Sequence, residues 1–348
     1  MMFQSAVYPA IFSFLITLIG VIAALKFFPK IGLMDRPHDY GINRGPIPYS
    51  GGLILFLSFL LSTLIFVDLS RQVVAVLFAA ILITFVSFWD DRFRISPFLR
   101  LGVQGLAGVI VVLGGIGIRS ITNPFGDPII LDAVRFQVLG TEIWLFSALV
   151  IIAWLGLMMN VMNWLDGISG LTSGVGVIGS IVMFTLSVQG FHILDQTTVV
   201  IMSATLGASA LAFWFFDFYP PKILMGDIGS MFLGLMLGIL AVFSGGKLAT
   251  VLLIMGFPVL DAFWTIFRRI FSRQSPFKGD LKHFHHRLLR VGLSERRALL
   301  VNYFLCAAFG GIALFLGSAR EKAIALVILF AAMIIAAFLV VKMERNGD

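Results

Sequence analysis

Long apolar stretches dominate this chain and restrict what it can fold into. About eleven of them are as long as a membrane-spanning helix. They cover roughly 6–28, 51–69, 72–89, 100–118, 143–163, 171–190, 197–216, 228–245, 248–267, 298–317 and 322–341. Of the 348 residues, 59% are hydrophobic and only 12% are charged, which excludes a soluble globular domain. We therefore predict an all-α, polytopic membrane protein with a single integral domain over residues 1–348.

The positive charge of the chain is distributed by loop. With eleven spans, one set of loops carries 19 Lys and Arg residues and the other set six, so the richer side is predicted to be cytoplasmic. The net charge of +7 then reflects topology and not a nucleic-acid partner. The N-terminus is expected outside and the C-terminus inside. The cytoplasmic loops are predicted at 29–50, 90–99, 217–227 and 268–297.

The first apolar stretch and the longest external loop carry two further expectations. The first stretch is too long for a cleaved signal peptide and lacks a preceding basic segment, so we expect a retained helix. In the predicted external loop 119–142, residues 129–131 and 136–139 are expected to form a small β-hairpin.

Unusual polar residues gather at the predicted cytoplasmic ends of the spans. They are Asp90-Asp91, Asn160-x-x-Asn163-x-x-Asp166-Gly167, Gly226-Asp227, Asp261 and His283-x-His285-His286. A transporter would instead place ionisable residues near the bilayer midplane. The common location predicts a chemical site at one membrane surface.

Two of these motifs have both a structural and a functional interpretation. Adjacent carboxylates at a helix C-terminus oppose the helix dipole, so Asp90-Asp91 is either a solvated pair answering Arg92 and Arg94 or a Mg²⁺ or base site. The Asn160 motif repeats every three residues and shares one broad helix face. Its amides either link helices or, with the following aspartate and glycine, line a ligand site.

The remaining motifs are similarly ambiguous when taken singly. Asp227 is either a helix N-cap or part of an anion or metal site between glycines. Asp261 is predicted to be a supporting carboxylate. The histidine cluster does not have the ligands of a structural zinc site, and with Lys282 and Arg287 it is better suited to diphosphate oxygens.

In this order, the motifs resemble the polyprenyl-phosphate N-acetylhexosamine-1-phosphate transferases, the superfamily of the WecA/TagO/MraY-type enzymes. The resemblance covers nearly the whole chain. It extends to Asp35-Arg36-Pro37 and Gly45-Pro46-Ile47-Pro48 in the first loop. The His-x-His-His form is most similar to the WecA/TagO branch.

The resemblance implies transfer of a sugar-1-phosphate from a UDP-N-acetylhexosamine to undecaprenyl phosphate, with release of UMP and initiation of a cell-surface glycan. It implies Mg²⁺, replaceable by Mn²⁺, held by Asp227 and Asp91. It further implies catalytic roles for Asp90, Asp91, Asp227, His283, His285 and His286. The implied substrate-binding residues are Arg44, Arg94, Asn160, Asn163, Asp166, Gly167, Asp217, Lys222, Lys282 and Arg287.

Several positions depart from the family pattern and leave the sugar open. Ser169 and Asp217 stand where the family often has Asp and Asn, and Asn43 and Tyr49 stand where it usually has His and Arg. The resemblance also implies a prokaryotic inner-membrane location with the site facing the cytoplasm, contact with the lipid bilayer, and a homodimer. A multi-pass transporter and an inactive lipid-binding relative are the alternative functions.

Overall fold

The computed structural model describes residues 2–37, 44–93, 95–189, 196–244, 255–271 and 283–346. Each predicted apolar stretch overlaps a helix. The twelve α-helices within these residues are α1 (Met2–Phe27), α2 (Gly52–Phe66), α3 (Arg71–Phe93), α4 (Pro97–Leu113), α5 (Leu145–Leu165), α6 (Leu171–Gln189), α7 (Gln196–Asp217), α8 (Gly226–Phe243), α9 (Gly256–Phe271), α10 (Phe284–Arg290), α11 (Glu295–Phe315) and α12 (Ala319–Asn346). A short 3₁₀ helix, Pro29–Ile31, follows α1.

Seven helices in the described ranges are long and apolar enough to cross a membrane. Three shorter apolar helices accompany them, at Gly52–Phe66, Pro97–Leu113 and Pro258–Phe267. The chain is therefore an integral membrane protein, as predicted, although these seven helices do not confirm the count of eleven spans or the predicted orientation.

Helix α8 forms the centre of the helical packing. Every residue of α8 except Asp227 is buried, and the helix contacts α2, α3 and α5. Small residues permit the close approach: a Cβ atom on Gly234 would lie 2.6 Å from the Met158 carbonyl oxygen of α5. Because Asp227 is in the first turn of this central helix, its carboxylate lies where several helix ends meet.

Two short hairpins connect α4 to α5. Strand β1 (Ser120–Ile121) pairs with β2 (Ile129–Ile130), and β3 (Arg135–Val138) pairs with β4 (Thr141–Trp144). The predicted pairing of 129–131 with 136–139 is wrong. Leu139 and Gly140 both have positive φ, 50° and 73°, and form a two-residue turn that directs β3 onto the strand that follows it. The hairpins lie at the opposite end of the helices from Asp90.

Candidate active site

Asp91 joins three separate segments at one end of the helices. Its Oδ1 accepts a hydrogen bond from the backbone N–H of Asp227 at 3.2 Å, and its Oδ2 accepts one from the Ser50 hydroxyl at 3.0 Å. The Tyr49 hydroxyl donates to Oδ1 at 3.4 Å. The end of α3, the start of α8 and the segment before α2 therefore meet at this carboxylate.

Backbone pairing explains why Ser50 lies beside α8. The Leu224 N–H donates to the Pro48 carbonyl, and the Gly51 N–H donates to the Leu224 carbonyl, each at 2.9 Å. Gly52 then packs directly on Gly229, where a Cβ atom would lie 2.1 Å from the Gly229 nitrogen. These contacts fix the first loop against the start of α8.

Arg100 links two of the three carboxylates. Its Nε forms an ion pair with Asp90 Oδ2, and its Nη1 lies 3.1 Å from Asp227 Oδ2. The other oxygen of Asp90 accepts the Ile95 N–H at 2.8 Å, and Asp90 is only 4% exposed. Among the described residues, Asp90, Asp91 and Asp227 with Arg100 form what we call the acidic cluster, in which Asp90 is the more buried partner of Arg100.

Asn160 and Asn163 of α5 form hydrogen bonds with different parts of the structure. The Asn163 amide donates to Asp227 Oδ1 at 2.9 Å and to the Ser230 hydroxyl at 3.1 Å. Asn160 instead donates to Gln104 Oε1 of α4 at 2.7 Å and to the Gly156 carbonyl at 2.7 Å. Asn163 thus belongs to the acidic cluster, whereas Asn160 links two helices, which is the structural alternative weighed for it.

The turn after α5 contacts the histidine cluster. A Cβ atom on Gly167 would lie 2.6 Å from His285 Nε2 and 2.8 Å from His286 Nε2. Only glycine fits between these rings without displacing them. Burial, then the nearby Asp217 and Asp227, raise the pKa of the Asp166 carboxyl well above its usual range. The Asp166-Gly167 pair therefore brings α5 and the histidines into one site.

Asp261 of α9 orients the histidine segment. Its Oδ2 is 2.9 Å from His283 Nδ1, and its Oδ1 accepts the Phe284 N–H at 3.0 Å. The geometry is the one expected for the supporting carboxylate predicted at this position. Burial, followed by the neighbouring His286 and His283, lowers the pKa of His285 well below its usual value. His285 is consequently a neutral ring at physiological pH.

The remaining predicted site residues have varied surroundings, and some lie outside the described residues. Arg44 forms an ion pair with Asp35 within the first loop. Asp217 is 2% exposed and accepts a 2.7 Å hydrogen bond from Ser173, so the structure buries it between helices. Lys222 is exposed and Arg287 is buried. Three positions lie outside the described residues: Arg94, Lys282 and Asn43, the last of which departs from the family pattern.

Arg100, Ser50 and Gln104 are residues of the site that the sequence motifs do not identify. One sequence feature points to a functional role for Arg100. It lies in the first turn of α4, after the Ser96 cap and Pro97, and a cation at a helix N-terminus opposes the helix dipole. Such a residue needs a carboxylate partner. Ser50 and Gln104 carried no signal, because their roles depend on which segments become neighbours.

Comparisons with known proteins identify the family of this chain. A profile of glycosyl transferase family 4 matches residues 73–245. The probable undecaprenyl-phosphate N-acetylglucosaminyl 1-phosphate transferase of Bacillus subtilis (strain 168) is 31% identical over 297 residues, which cover 83% of this chain and 79% of the relative.

Two other relatives have similar names. The decaprenyl-phosphate N-acetylglucosaminephosphotransferase of Mycolicibacterium smegmatis is 29% identical, covering 79% of this chain and 73% of the relative. The undecaprenyl-phosphate alpha-N-acetylglucosaminyl 1-phosphate transferase of Yersinia pestis is also 29% identical, covering 84% and 79%. By the extent and identity of these matches, the chain belongs to glycosyl transferase family 4, within the polyprenyl-phosphate N-acetylhexosamine-1-phosphate transferase superfamily.

Proposed function

We propose that this protein transfers N-acetylglucosamine-1-phosphate, or the 1-phosphate of a related N-acetylated deoxy sugar with the sugar attached, from a UDP-sugar to a polyprenyl phosphate and releases UMP. The observation that carries the proposal is the convergence of Asp91, Asp227 and the histidine segment at one end of the apolar helices. The names of the relatives supply the donor sugar and the lipid acceptor. The inner membrane is the proposed location, because it gives access to both the lipid and the nucleotide.

The acidic cluster suits Mg²⁺, with Mn²⁺ as a substitute. The described residues contain no group of three or more His, Cys, Asp or Glu side chains that could hold a metal ion. Mg²⁺ does not require one, because it usually keeps several waters and takes one or two carboxylates together with substrate phosphates. We assign those carboxylates to Asp227 and Asp91. When bound there, Mg²⁺ would neutralise the diphosphate and stabilise the departing UMP.

The residues of the chain supply orientation and charge. Asn163 holds the Asp227 carboxylate from one side. The neutral His285, beside Gly167, offers a hydrogen-bonding ring to a diphosphate oxygen. Asp261 fixes the segment that carries His283 and its neighbours. A lipid phosphate that is already ionised needs mainly positioning for attack, so Asp90, paired with Arg100, is assigned to positioning and not to proton abstraction.

UMP release tests this reaction. Purified protein would be incubated with undecaprenyl phosphate and Mg²⁺ across a panel of UDP-N-acetylhexosamines. We expect lipid-dependent UMP release, greatest with UDP-N-acetylglucosamine. Release that does not require the lipid would indicate hydrolysis of the donor and contradict the proposed transfer. The absence of release with every donor would favour a transporter or an inactive relative.

Orientation needs a separate experiment. The basic residues predict a cytoplasmic active site, because most of them lie in loops on the same side as Asp91 and Asp227. A reporter fused after Arg345 is therefore expected to be cytoplasmic. An external reporter would mean that the number of spans differs by one from the prediction.

A further inference from the structure

Arg100 occupies a position in the acidic cluster that the proposed reaction does not explain. The cluster contains three carboxylates, those of Asp90, Asp91 and Asp227. Within the described part of the chain, the guanidinium that pairs with them is that of Arg100. The Arg100 side chain is 34% exposed, whereas that of Asp90 is 2% exposed. The guanidinium therefore has a buried partner on one side and a route to water on the other.

The two ion pairs of Arg100 are not equivalent. Asp90 is held on its second oxygen by the Ile95 N–H, so it is a fixed, buried anchor. Asp227 is 23% exposed at its side chain, and its Oδ2 meets Arg100 Nη1 at 3.1 Å. Asn163 occupies the other oxygen of Asp227. Asn163 and Arg100 thus hold different oxygens of the same carboxylate.

A divalent ion bound by Asp227 would share this carboxylate with Arg100, whose Nη1 pairs with Oδ2. Carboxylates, water and phosphate oxygens are its natural ligands. A guanidinium 3.1 Å from that oxygen both occupies a lone pair and repels a second cation. Metal and Arg100 Nη1 therefore compete for Asp227, while the Asp90 contact can persist.

We infer that Arg100 is the resident counter-cation of the acidic cluster, holding Asp227 in the absence of metal and releasing it when a divalent ion binds. The inference rests on the proposed metal site at Asp227. Arg100 is a positioning residue in this scheme, because it acts through Asp227 and stays anchored to Asp90. Its release also frees a guanidinium next to the place where anionic oxygens arrive with the metal.

Metal affinity in the absence of nucleotide tests the inference. Mn²⁺ binding to purified protein would be measured from the loss of the free-ion signal in electron paramagnetic resonance. Arg100→Gln removes the competing charge, so we expect Mn²⁺ to bind about tenfold more tightly than to the unmodified protein. Arg100→Lys keeps the charge and should bind Mn²⁺ within about threefold of the unmodified protein. Equal or weaker binding by Arg100→Gln, repeated in the Asp90→Asn/Arg100→Gln double variant, would overturn the inference.

Two further variants separate local competition from general charge effects. Arg92→Gln removes one exposed positive charge close to Asp91 in sequence, and screening by water and salt should keep its effect on Mn²⁺ within about threefold. Asp90→Asn/Arg100→Gln removes both charges of the Asp90–Arg100 ion pair, so a buried Asp90 is not left without its partner and does not cause misfolding. The double variant is also expected to bind Mn²⁺ more tightly than the unmodified protein.

The outcomes distinguish the inference from the proposed function. If the unmodified protein releases UMP and binds Mn²⁺ through Asp227, but neither Arg100→Gln nor the double variant binds it more tightly, only the counter-cation role fails. If neither the unmodified protein nor any Arg100 variant binds Mn²⁺, the metal site and the counter-cation role fail together. Tight Mn²⁺ binding that appears only after Arg100 is replaced supports the inference most directly.

Discussion

Asn163 donates its side-chain amide to Oδ1 of Asp227 at 2.9 Å, across the interface between α5 and α8. The same amide reaches the Ser230 hydroxyl at 3.1 Å. The contact fixes the rotation of a carboxylate that is otherwise partly exposed to solvent. An asparagine that looks like a helix–helix contact in the sequence therefore acts on the proposed metal ligand.

Replacing Asn163 should reduce turnover more than it reduces stability. Asn163→Ala leaves Asp227 without its orienting donor, and removal of such a partner of a metal ligand typically costs about 10- to 100-fold in affinity or activity. We expect a loss of this size in UMP release, measured at several Mg²⁺ concentrations. An unchanged rate would mean that the hydrogen bond does not orient Asp227 during the reaction.

Asn160 supplies the matched control on the same helix. Asn160→Ala breaks the hydrogen bond to Gln104 and leaves that buried amide unsatisfied, which costs about 1–3 kcal/mol. We therefore expect a lower melting temperature with nearly unchanged UMP release per folded molecule. A selective loss of turnover in this variant would return Asn160 to the substrate-binding residues.

Asp227→Asn should abolish Mg²⁺-dependent turnover without unfolding the protein. The amide keeps the shape of the side chain but loses the negative charge that a hard divalent ion requires. We expect UMP release to fall at least about a hundredfold, because the carboxylate itself is a proposed ligand and not only its support. Asp68→Asn, at an exposed position before α3, is the control and should retain normal release. Near-normal activity of Asp227→Asn would remove it from the metal site.

The sequence predicted the helices well because long apolar runs have few alternatives in a membrane. Because successive spans cross the membrane in opposite directions, the sequence also predicts that the polar motifs lie at the same end of the helices, without knowledge of how the helices pack. It did not predict that the Asp227 N–H meets Asp91, because that contact requires α3 and α8 to be neighbours although they are separated by more than a hundred residues. Arg100 is not predictable for the same reason, since its partners belong to two different helices.

The hairpin error has a local physical cause. Leu139 adopts a φ of 50°, which non-glycine residues rarely adopt, so a leucine is a weak turn signal at that position. The pattern of residues 136–139 accordingly predicts the end of a strand. The observed turn at Leu139 and Gly140 instead pairs β3 with β4, and β2 is left to pair with β1.

Gly52→Ala should destabilise the site through the backbone. The added Cβ would lie 2.1 Å from the nitrogen and 2.3 Å from the Cα of Gly229, and backbone atoms cannot move aside as a flexible side chain can. We expect a loss of at least about 1–3 kcal/mol, seen as a lower melting temperature. Gly102→Ala has no heavy atom within 4 Å of its new Cβ, so the control should melt at the same or a higher temperature. Equal melting temperatures for the two variants would contradict the close approach.

His285 should make the protein less stable as the pH falls. Burial, with the neighbouring histidines, lowers its pKa in the folded state well below the 6.5 of a free histidine. As the pH falls through about 6.5, the His285 side chain takes up a proton in the unfolded chain but not in the folded protein. The free energy of unfolding therefore decreases below that pH, by at most about 1.4 kcal/mol per pH unit. We expect the melting temperature to fall between pH 7.5 and 5.5, and to fall less in His285→Gln. Between pH 7.5 and 8.5, where this ring does not titrate, the melting temperatures of the two proteins should change alike. Equal decreases of the melting temperature between pH 7.5 and 5.5 would show that His285 is not the group responsible.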